Sequence, residues 1–255
     1  MVGIKIKTEE EIERLREAGR ITADVLHEMG KLAITGISTA EIDRQAESLI
    51  RSRGAEPVFI GYRGYRNATC ISVNEEVVHG VPGGKILNEG DIVGLDVGVK
   101  KDGYCGDAAA TFPVGKISRS TKKLLQIGKE ALRLAIRQAR AGNHLGDISC
   151  VIDQLAQKNG FTVVRDLYGH GIGRDLHEDP LIPNFGKAGE GPELLPGMVL
   201  AIEPMINVGG WKIKTLSDGW TVVTEDNSLS CHFEHMVLIT EGDPEVLTWL
   251  KKKTL

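Results

Sequence analysis

Two aspartates, Asp96 and Asp107, lie on neighbouring predicted strands in positions where their side chains meet. Residues 91–100 read DIVGLDVGVK, residues 104–114 read YCGDAAATFPV, and the turn signal Asp102-Gly103 separates them. If residues 100–103 form the loop, Asp96 pairs directly with Asp107, with side chains about 5 Å apart. Two negative charges at that distance destabilise a sheet unless a cation lies between them. Since hard divalent ions prefer carboxylate oxygens, the pair predicts a metal site; the alternative is two aspartates on a solvated surface.

The first of these strands has two different faces. One face carries the carboxylate with small neighbours, namely Ile92, Gly94, Asp96 and Gly98, and the other carries Val93, Leu95, Val97 and Val99. We expect the branched face to pack on helices and the glycine-rich face to leave room beside the aspartates.

Two further carboxylates interrupt apolar strands in the second half of the chain. Residues 198–208, MVLAIEPMINV, contain Glu203, and residues 232–240, HFEHMVLIT, contain Glu234. A carboxylate on a buried strand face is costly unless it is paired or bound to a metal. For either glutamate alone, pairing with an arginine is the simpler interpretation. Together with the aspartate pair, they favour a metal.

Three histidines are candidate ligands or proton donors. His170 and His177 lie in residues 168–180, YGHGIGRDLHEDP, whose glycines predict a flexible loop, and His79 ends a short apolar run before a Pro-Gly turn. The segment does not read as a phosphate-binding loop, because no GK[ST] follows it and no strand–GxGxxG–helix pattern surrounds it. Each histidine alone would be interpreted as a surface or capping residue.

Taken together, these candidates form a larger ligand set than one structural zinc ion uses. The set contains four carboxylates and one histidine: Asp96, Asp107, His170, Glu203 and Glu234. A structural zinc site takes four ligands and favours cysteine and histidine. The set suits two metals about 3.5–4 Å apart that share bridging carboxylates and a water.

Composition excludes several other classes of protein. The chain has 255 residues, is 41% hydrophobic and 26% charged, and carries a net charge of -4. It therefore lacks the basic charge typical of nucleic-acid binding, and no apolar run approaches the length of a membrane span. The N-terminus has no apolar signal core, and the four cysteines are scattered without CxxC spacing. We expect reduced thiols and a cytoplasmic protein.

Two pairs of predicted helices repeat along the chain. The first pair covers residues 8–30 and 38–54, with capping boxes Thr8/Glu11 and Ser38/Glu41, and the second covers residues 120–140 and 145–159. A shift of 106 residues superposes Gly36 on Gly142 and Gly54 on Gly160. The alternative is a pattern shared by any two amphipathic helices. The repeat predicts an α+β fold: a curved, mostly antiparallel sheet covered by two helix pairs. We expect its two halves, about 1–115 and 116–255, to form a single domain with the site between them.

With these motifs the chain closely resembles the short form of the type I methionine aminopeptidases. The resemblance is carried by the ordered strings GLDVGVKKDGYCGDAA, GHGIGRDLHEDP, AIEPM and HFEHMVLIT, and also by NEEVVHGVP and FIGYRGYRNATCISVN. It covers essentially the whole chain. It implies the duplicated "pita-bread" fold, in agreement with the repeat.

The resemblance also implies a role for each candidate residue. Asp96, Asp107, His170, Glu203 and Glu234 would hold two divalent ions (Co, Mn, Fe, Zn or Ni), bridged by Asp107 and Glu234. His79 and His177 would contact the substrate amide. The methionine pocket would be lined by Phe59, Tyr62, Tyr65, Cys70, Leu176 and Trp220. Leu176 departs from the aromatic residue common there and Phe59 from the cysteine of some relatives. Ordinary core packing is the alternative for the aromatic residues.

The implied reaction is removal of the initiator methionine when the second residue is small. A metal-bridging hydroxide would attack the first carbonyl, Glu203 would shuttle the proton, and His177 would stabilise the oxyanion. The partners would be N-termini of nascent chains, including chains at the ribosome, with no nucleic-acid substrate, no membrane and a monomeric enzyme. The alternatives are a proline-directed peptidase of the same fold, which usually carries an additional N-terminal domain, and a non-catalytic binding module, which generally loses metal ligands.

Overall fold

The computed structural model describes residues 3–249, and its helices lie within two residues of their predicted bounds. They are α1 (Glu9–Lys31), α2 (Thr39–Ser52), α3 (Arg119–Gln138) and α4 (Leu145–Lys158). Thr8 and Glu11 form the predicted capping box at the start of α1. At α2 only half of the second box forms, because the Ser38 side chain accepts from the Glu41 N–H while the Glu41 carboxylate binds Arg44 and Gln45 instead.

The strands build the α+β architecture predicted from the sequence. Those of the first half are β1 (Glu56–Pro57), β2 (Thr69–Val73), β3 (Glu76–Val78), β4 (Ile92–Lys101) and β5 (Tyr104–Pro113). Those of the second half are β6 (Thr162–Val163), β7 (Tyr168–Gly171), β8 (Glu178–Pro183), β9 (Val199–Ile202), β10 (Met205–Asn207), β11 (Ile213–Thr215), β12 (Val222–Thr224), β13 (Ser230–His232), β14 (His235–Leu238) and β15 (Glu245–Val246).

Two larger sheets carry the candidate site. In the first, β4 pairs with β1 and β2 along one edge and with β5 along the other; the second has the order β8-β7-β9-β14-β15. These pairings are antiparallel. The remaining strands of the described residues form two smaller sheets, β13-β10-β6 and β11-β12-β3. The small sheet β11-β12-β3 joins the halves directly, since β3 comes from the first half and its partners from the second.

The hairpin of β4 and β5 forms, but its predicted register is wrong by two residues. Asp96 pairs with Ala109, and Asp107 pairs with Gly98. The reason is the turn: Asp102 and Gly103 both have positive φ (49° and 84°), so the loop has two residues and not four. Because side chains alternate with a period of two, the shift leaves both aspartates on the same face, as diagonal neighbours.

The other two expectations for β4 have different outcomes. Val93, Leu95, Val97 and Val99 are fully buried in a core that includes residues of α1 and α2, as predicted. The expected room on the glycine-rich face is found in part. A cleft lies beside Asp96 and Asp107, but at Gly98 a Cβ would lie 2.5 Å from side-chain atoms of both Val58 and Phe59, so these side chains fill the space there.

The 106-residue repeat has a structural counterpart in matched turns. Gly36 and Gly142 have φ values of 91° and 84°, and their N–H groups donate to Leu87 O and Leu194 O at 2.8 and 3.0 Å. Each half also has its own apolar core, one around α1, α2 and β4 and the other around α3, α4 and β9. A third apolar cluster contains Phe59 and Leu15 of the first half with Leu176 and Met236 of the second.

Candidate metal centre and active site

The two glutamates lie where their strands are interrupted, and the two interruptions face each other. The predicted single strand over 198–208 is divided at Glu203-Pro204 into β9 and β10, and the one over 232–240 is divided at Phe233-Glu234 into β13 and β14. The pairs Ile202–His235 and Met205–His232 flank both breaks. Instead of joining a continuous ladder, Glu234 donates its N–H to Ala109 O of β5 at 2.8 Å, which brings this carboxylate to the aspartate hairpin.

His170 lies in a strand and not in the flexible loop that its neighbouring glycines predicted. It belongs to β7, pairs with Ala201 of β9, and is 2% exposed. Its Nδ1 lies 2.9 Å from Gly171 O, and a carbonyl oxygen only accepts, so Nδ1 carries the proton. In the neutral ring Nε2 therefore carries a lone pair. This nitrogen lies 3.6 Å from Glu203 Oε1 and 3.9 Å from Asp107 Oδ2.

The buried carboxylates lack the partners that would compensate their charge. Asp96 Oδ1, Asp107 Oδ1 and Glu234 Oε1 are buried without a hydrogen-bond partner. Burial raises the pKa of Asp96 and the pKa of Glu203 to about 7. Burial and the neighbouring acids raise the pKa of Asp107 and that of Glu234 well above the ordinary range. For these acids to be ionised together in a dry site, a cation must lie between them.

The donor set fits divalent metal ions. Ligand atoms of Asp107, His170 and Glu234 all lie within 4.8 Å of one another. Carboxylate oxygens and an imidazole lone pair converge there, with orphaned oxygens directed into the site and no described arginine or lysine paired to these acids. Such a combination of oxygen and nitrogen donors suits manganese, iron, cobalt or zinc.

His79 and His177 lie beside the carboxylates in the same cleft. His79 has a positive φ of 58°, and Gly80 follows it because a Cβ there would lie 2.2 Å from Ile71 O. Burial and the neighbouring His232 lower the pKa of His79 to about 4, and burial followed by His170 lowers the pKa of His177 to about 3. Both rings are neutral at pH 7, so each can donate through one nitrogen and accept through the other.

An apolar pocket adjoins the carboxylates. All six predicted pocket residues line the cleft that holds the acids: Phe59, Tyr62, Tyr65, Cys70, Leu176 and Trp220. Cys70 of β2 pairs with Asp96 of β4, so this part of the pocket wall and the Asp96 carboxylate lie on the same sheet. The Tyr65 and Trp220 rings meet edge to face with centroids 5.0 Å apart, and Tyr65 donates its hydroxyl to Thr69 O at 2.9 Å.

Two residues of this region were not predicted from the sequence. Arg63 lines the same cleft and lies between the predicted pocket residues Tyr62 and Tyr65 in the motif GYRGY. His232 is 4% exposed, and its Nε2 lies 3.2 Å from Glu203 Oε2 without the alignment of a hydrogen bond. In the sequence His232 lies two residues before Glu234, on the same face of the predicted strand, and this spacing could have identified it as a site residue.

Comparison with known proteins identifies a family of metallopeptidases. The model of metallopeptidase family M24 matches residues 13–241. The chain belongs to this family. It is 50% identical over 242 residues to methionine aminopeptidase 1 of Bacillus subtilis, covering 95% of this chain and 98% of that protein. It is also 50% identical over 248 residues to the methionine aminopeptidase of Clostridium perfringens, covering 97% and 100%.

Solved structures give the same grouping. The methionine aminopeptidase of Thermotoga maritima superposes with a TM-score of 0.95 at 46% identity and covers 97% of this chain and 100% of that chain. A prolidase of Pyrococcus furiosus superposes with a TM-score of 0.79 at 25% identity, but this chain covers only 66% of it. The pita-bread fold and the metallo-aminopeptidase class are thereby confirmed, and the proline-directed alternative is not favoured. None of the helices in residues 3–249 has the length and apolarity needed to span a bilayer.

Proposed function

We propose that this chain removes the N-terminal methionine from nascent proteins and peptides when the second residue is small. The supporting observation is the juxtaposition of buried, uncompensated carboxylates with an apolar pocket in one cleft. An unbranched thioether suits a pocket of aromatic side chains, because sulfur contacts aromatic rings favourably. A charged first residue would be desolvated there without a partner.

We assign Asp96, Asp107, His170, Glu203 and Glu234 as ligands of two divalent ions, with Asp107 and Glu234 shared between them. Bound there, the ions would polarise the scissile carbonyl and lower the pKa of water. Glu203 would take a proton from water and return it to the leaving amine. Neutral His177 donates to the carbonyl oxygen as negative charge develops, and His79 contacts the scissile amide.

The remaining assignments concern the whole molecule. We assign residues 1–115 and 116–255 as the halves of a single catalytic domain. We further propose a cytoplasmic monomer that acts on nascent chains, including chains at the ribosome. The four cysteines are free, which accords with a reducing compartment.

A peptide panel with mass-spectrometric detection tests the function. The metal-loaded enzyme should release Met from Met-Ala and Met-Gly peptides and spare Met-Lys and Met-Leu peptides. Norleucine should be released more slowly, because a small change in an apolar side chain costs about 1–3 kcal/mol. Efficient release of N-terminal Lys or Glu, or a strict requirement for Pro in the second position, would contradict the assignment.

A further inference from the structure

The cleft carries a cationic side chain that the reaction proposed above does not use. Arg63 lines the cleft, is exposed, and places its guanidinium 5.4 Å from the centre of the Tyr62 ring. Among residues 3–249 no carboxylate forms an ion pair with it. By contrast Arg174, in the turn before His177, already lies 3.6 Å from Glu11. Arg63 is therefore the cation of the cleft that is free to bind an acidic group.

The backbone at Arg63 is held in an unfavourable conformation. Its φ is 48°, in the left-handed region that long side chains rarely adopt, between Gly61 at 85° and Gly64 at 89°. The strained turn keeps Arg63 stacked beside Tyr62 at the cleft. Strain of this kind clusters at sites where a side chain meets a ligand.

Arg63 lies close to the centre of the site. Its guanidinium is over the ring of Tyr62, and the hydroxyl of that tyrosine lies 2.7 Å from Nδ1 of His177. Since His177 is assigned to the scissile carbonyl, the guanidinium lies within reach of the residues that follow that bond. Arg63 is exposed, so a side chain of those residues could meet its guanidinium in water.

A second cation, Arg66, lies in a neighbouring cavity that shares Tyr65 and Trp220 with the main cleft. That cavity also contains Asp218, which accepts from the Trp220 N–H and from the N–H and hydroxyl of Thr221. Because these donors are neutral, Asp218 keeps its negative charge and offsets that of Arg66. Among the described residues, Arg63 therefore remains the uncompensated cation beside the cleft.

We propose that Arg63 is a specificity-determining residue that selects substrates with Asp or Glu at the third or fourth position. This inference rests on the proposed methionine aminopeptidase function. The pair would be solvent-exposed, so the expected preference for Glu over Gln in kcat/KM is about 2- to 5-fold. The preference over Lys should be larger, because attraction is replaced by repulsion. Added salt should reduce both preferences.

The test uses matched peptides that differ only downstream of the cleaved bond. The series places Glu, Gln or Lys at the third or the fourth position of a Met-Ala peptide, and kcat/KM is measured for each with metal-loaded enzyme. Arg63→Gln should reduce the Glu-to-Gln ratio to about 1, and Arg63→Glu should invert the preference toward Lys. The matched control is Arg137→Gln, which removes the same charge from the exposed face of α3 and should leave the ratio unchanged.

The outcomes separate this inference from the function on which it depends. Cleavage of the Gln peptides with a Glu-to-Gln ratio at or below 1 in the native chain would refute the role of Arg63 and leave the function intact. If Arg63→Gln and Arg137→Gln lost the preference for Glu equally, the preference would come from the overall charge of the protein, and the proposal would be overturned. Cleavage of none of the peptides would overturn both.

Discussion

The hydroxyl of Tyr62 lies 2.7 Å from Nδ1 of His177, and the two rings stack with centroids 5.2 Å apart. The pKa of His177, lowered to about 3, leaves the ring neutral at pH 7. When the hydroxyl donates to Nδ1, the ring proton resides on Nε2. That nitrogen is then the donor available to a substrate carbonyl. The contact thus selects the tautomer that the proposed reaction needs.

Removing this hydroxyl should slow the reaction without affecting metal binding. In Tyr62→Phe the ring of His177 no longer has a donor to hold its tautomer, and we expect kcat to fall about 10-fold. Metal content, measured by elemental analysis, should stay at the native value. Tyr168→Phe is the matched control, since this exposed tyrosine of β7 lies outside the cleft and should retain native kcat. Parallel loss of metal in Tyr62→Phe would contradict the assigned role.

The shared carboxylates should be indispensable for metal binding. Asp107→Asn and Glu234→Gln each replace a charged oxygen donor of the cluster by a neutral amide. We expect Mn²⁺ affinity to fall more than about 100-fold, with activity lost in parallel. Isothermal titration measures the affinity. Asp102→Asn makes the same chemical change at the tip of the β4–β5 hairpin and should bind metal normally. Native stoichiometry with near-native turnover in either ligand variant would refute the two-metal assignment.

Asp96 should make the metal-free protein less stable as pH rises. Its folded pKa of about 7 lies above its unfolded value, so its stabilising contribution is complete below about pH 4 and is lost as pH rises through 7. Asp96→Asn has no such loss. In chelator-treated protein, the variant should therefore unfold at a higher temperature than the native chain at about pH 8, with a smaller difference at about pH 4.5. A difference that shrinks with rising pH would contradict the sign.

A buried ion pair anchors the turn that ends at His177. The Lys7 ammonium binds the carboxylate of Glu178, both side chains being nearly inaccessible, while exposed Lys5 lies 3.1 Å from the other oxygen. Lys7→Met leaves a buried charge poorly compensated and should cost about 3 kcal/mol of unfolding free energy, measured in urea. Lys5→Met, which removes the exposed partner, should cost less than about 1 kcal/mol. Equal costs would show that burial does not determine the strength of this pair.

Local patterns in the sequence predicted most of the elements, because capping residues and apolar periodicity act over a few positions. The face shared by Asp96 and Asp107 was also predictable, since a register shift of two residues leaves every side chain on the same face of the sheet. The register itself was not predictable, because it depends on whether the loop has two or four residues. The break at Glu234 depends on a distant acceptor, Ala109 O. No local pattern contains that contact.

The candidate site shows the same limit. Its proposed carboxylate ligands could be predicted because acids inside apolar strands are unusual. Arg63 could not be predicted, because an exposed arginine in a turn has no distinguishing feature until the cleft beside it is known. The glycines around His170 suggested mobility, whereas they allow close packing of strands: a Cβ on Gly171 would lie 2.1 Å from Asp179 O.

The proposed metal ligands are divided between the halves, with Asp96 and Asp107 on the first and His170, Glu203 and Glu234 on the second. Each half has its own core, and an ion held between the halves would add to the joins that already exist, namely the sheet β11-β12-β3, the third apolar cluster and the connection after β5. Ligands that bind only the folded state stabilise it. In a cell starved of metal we expect the protein to open at the interface between its halves and to be degraded sooner. Metal supply would then set the abundance of the enzyme as well as its activity.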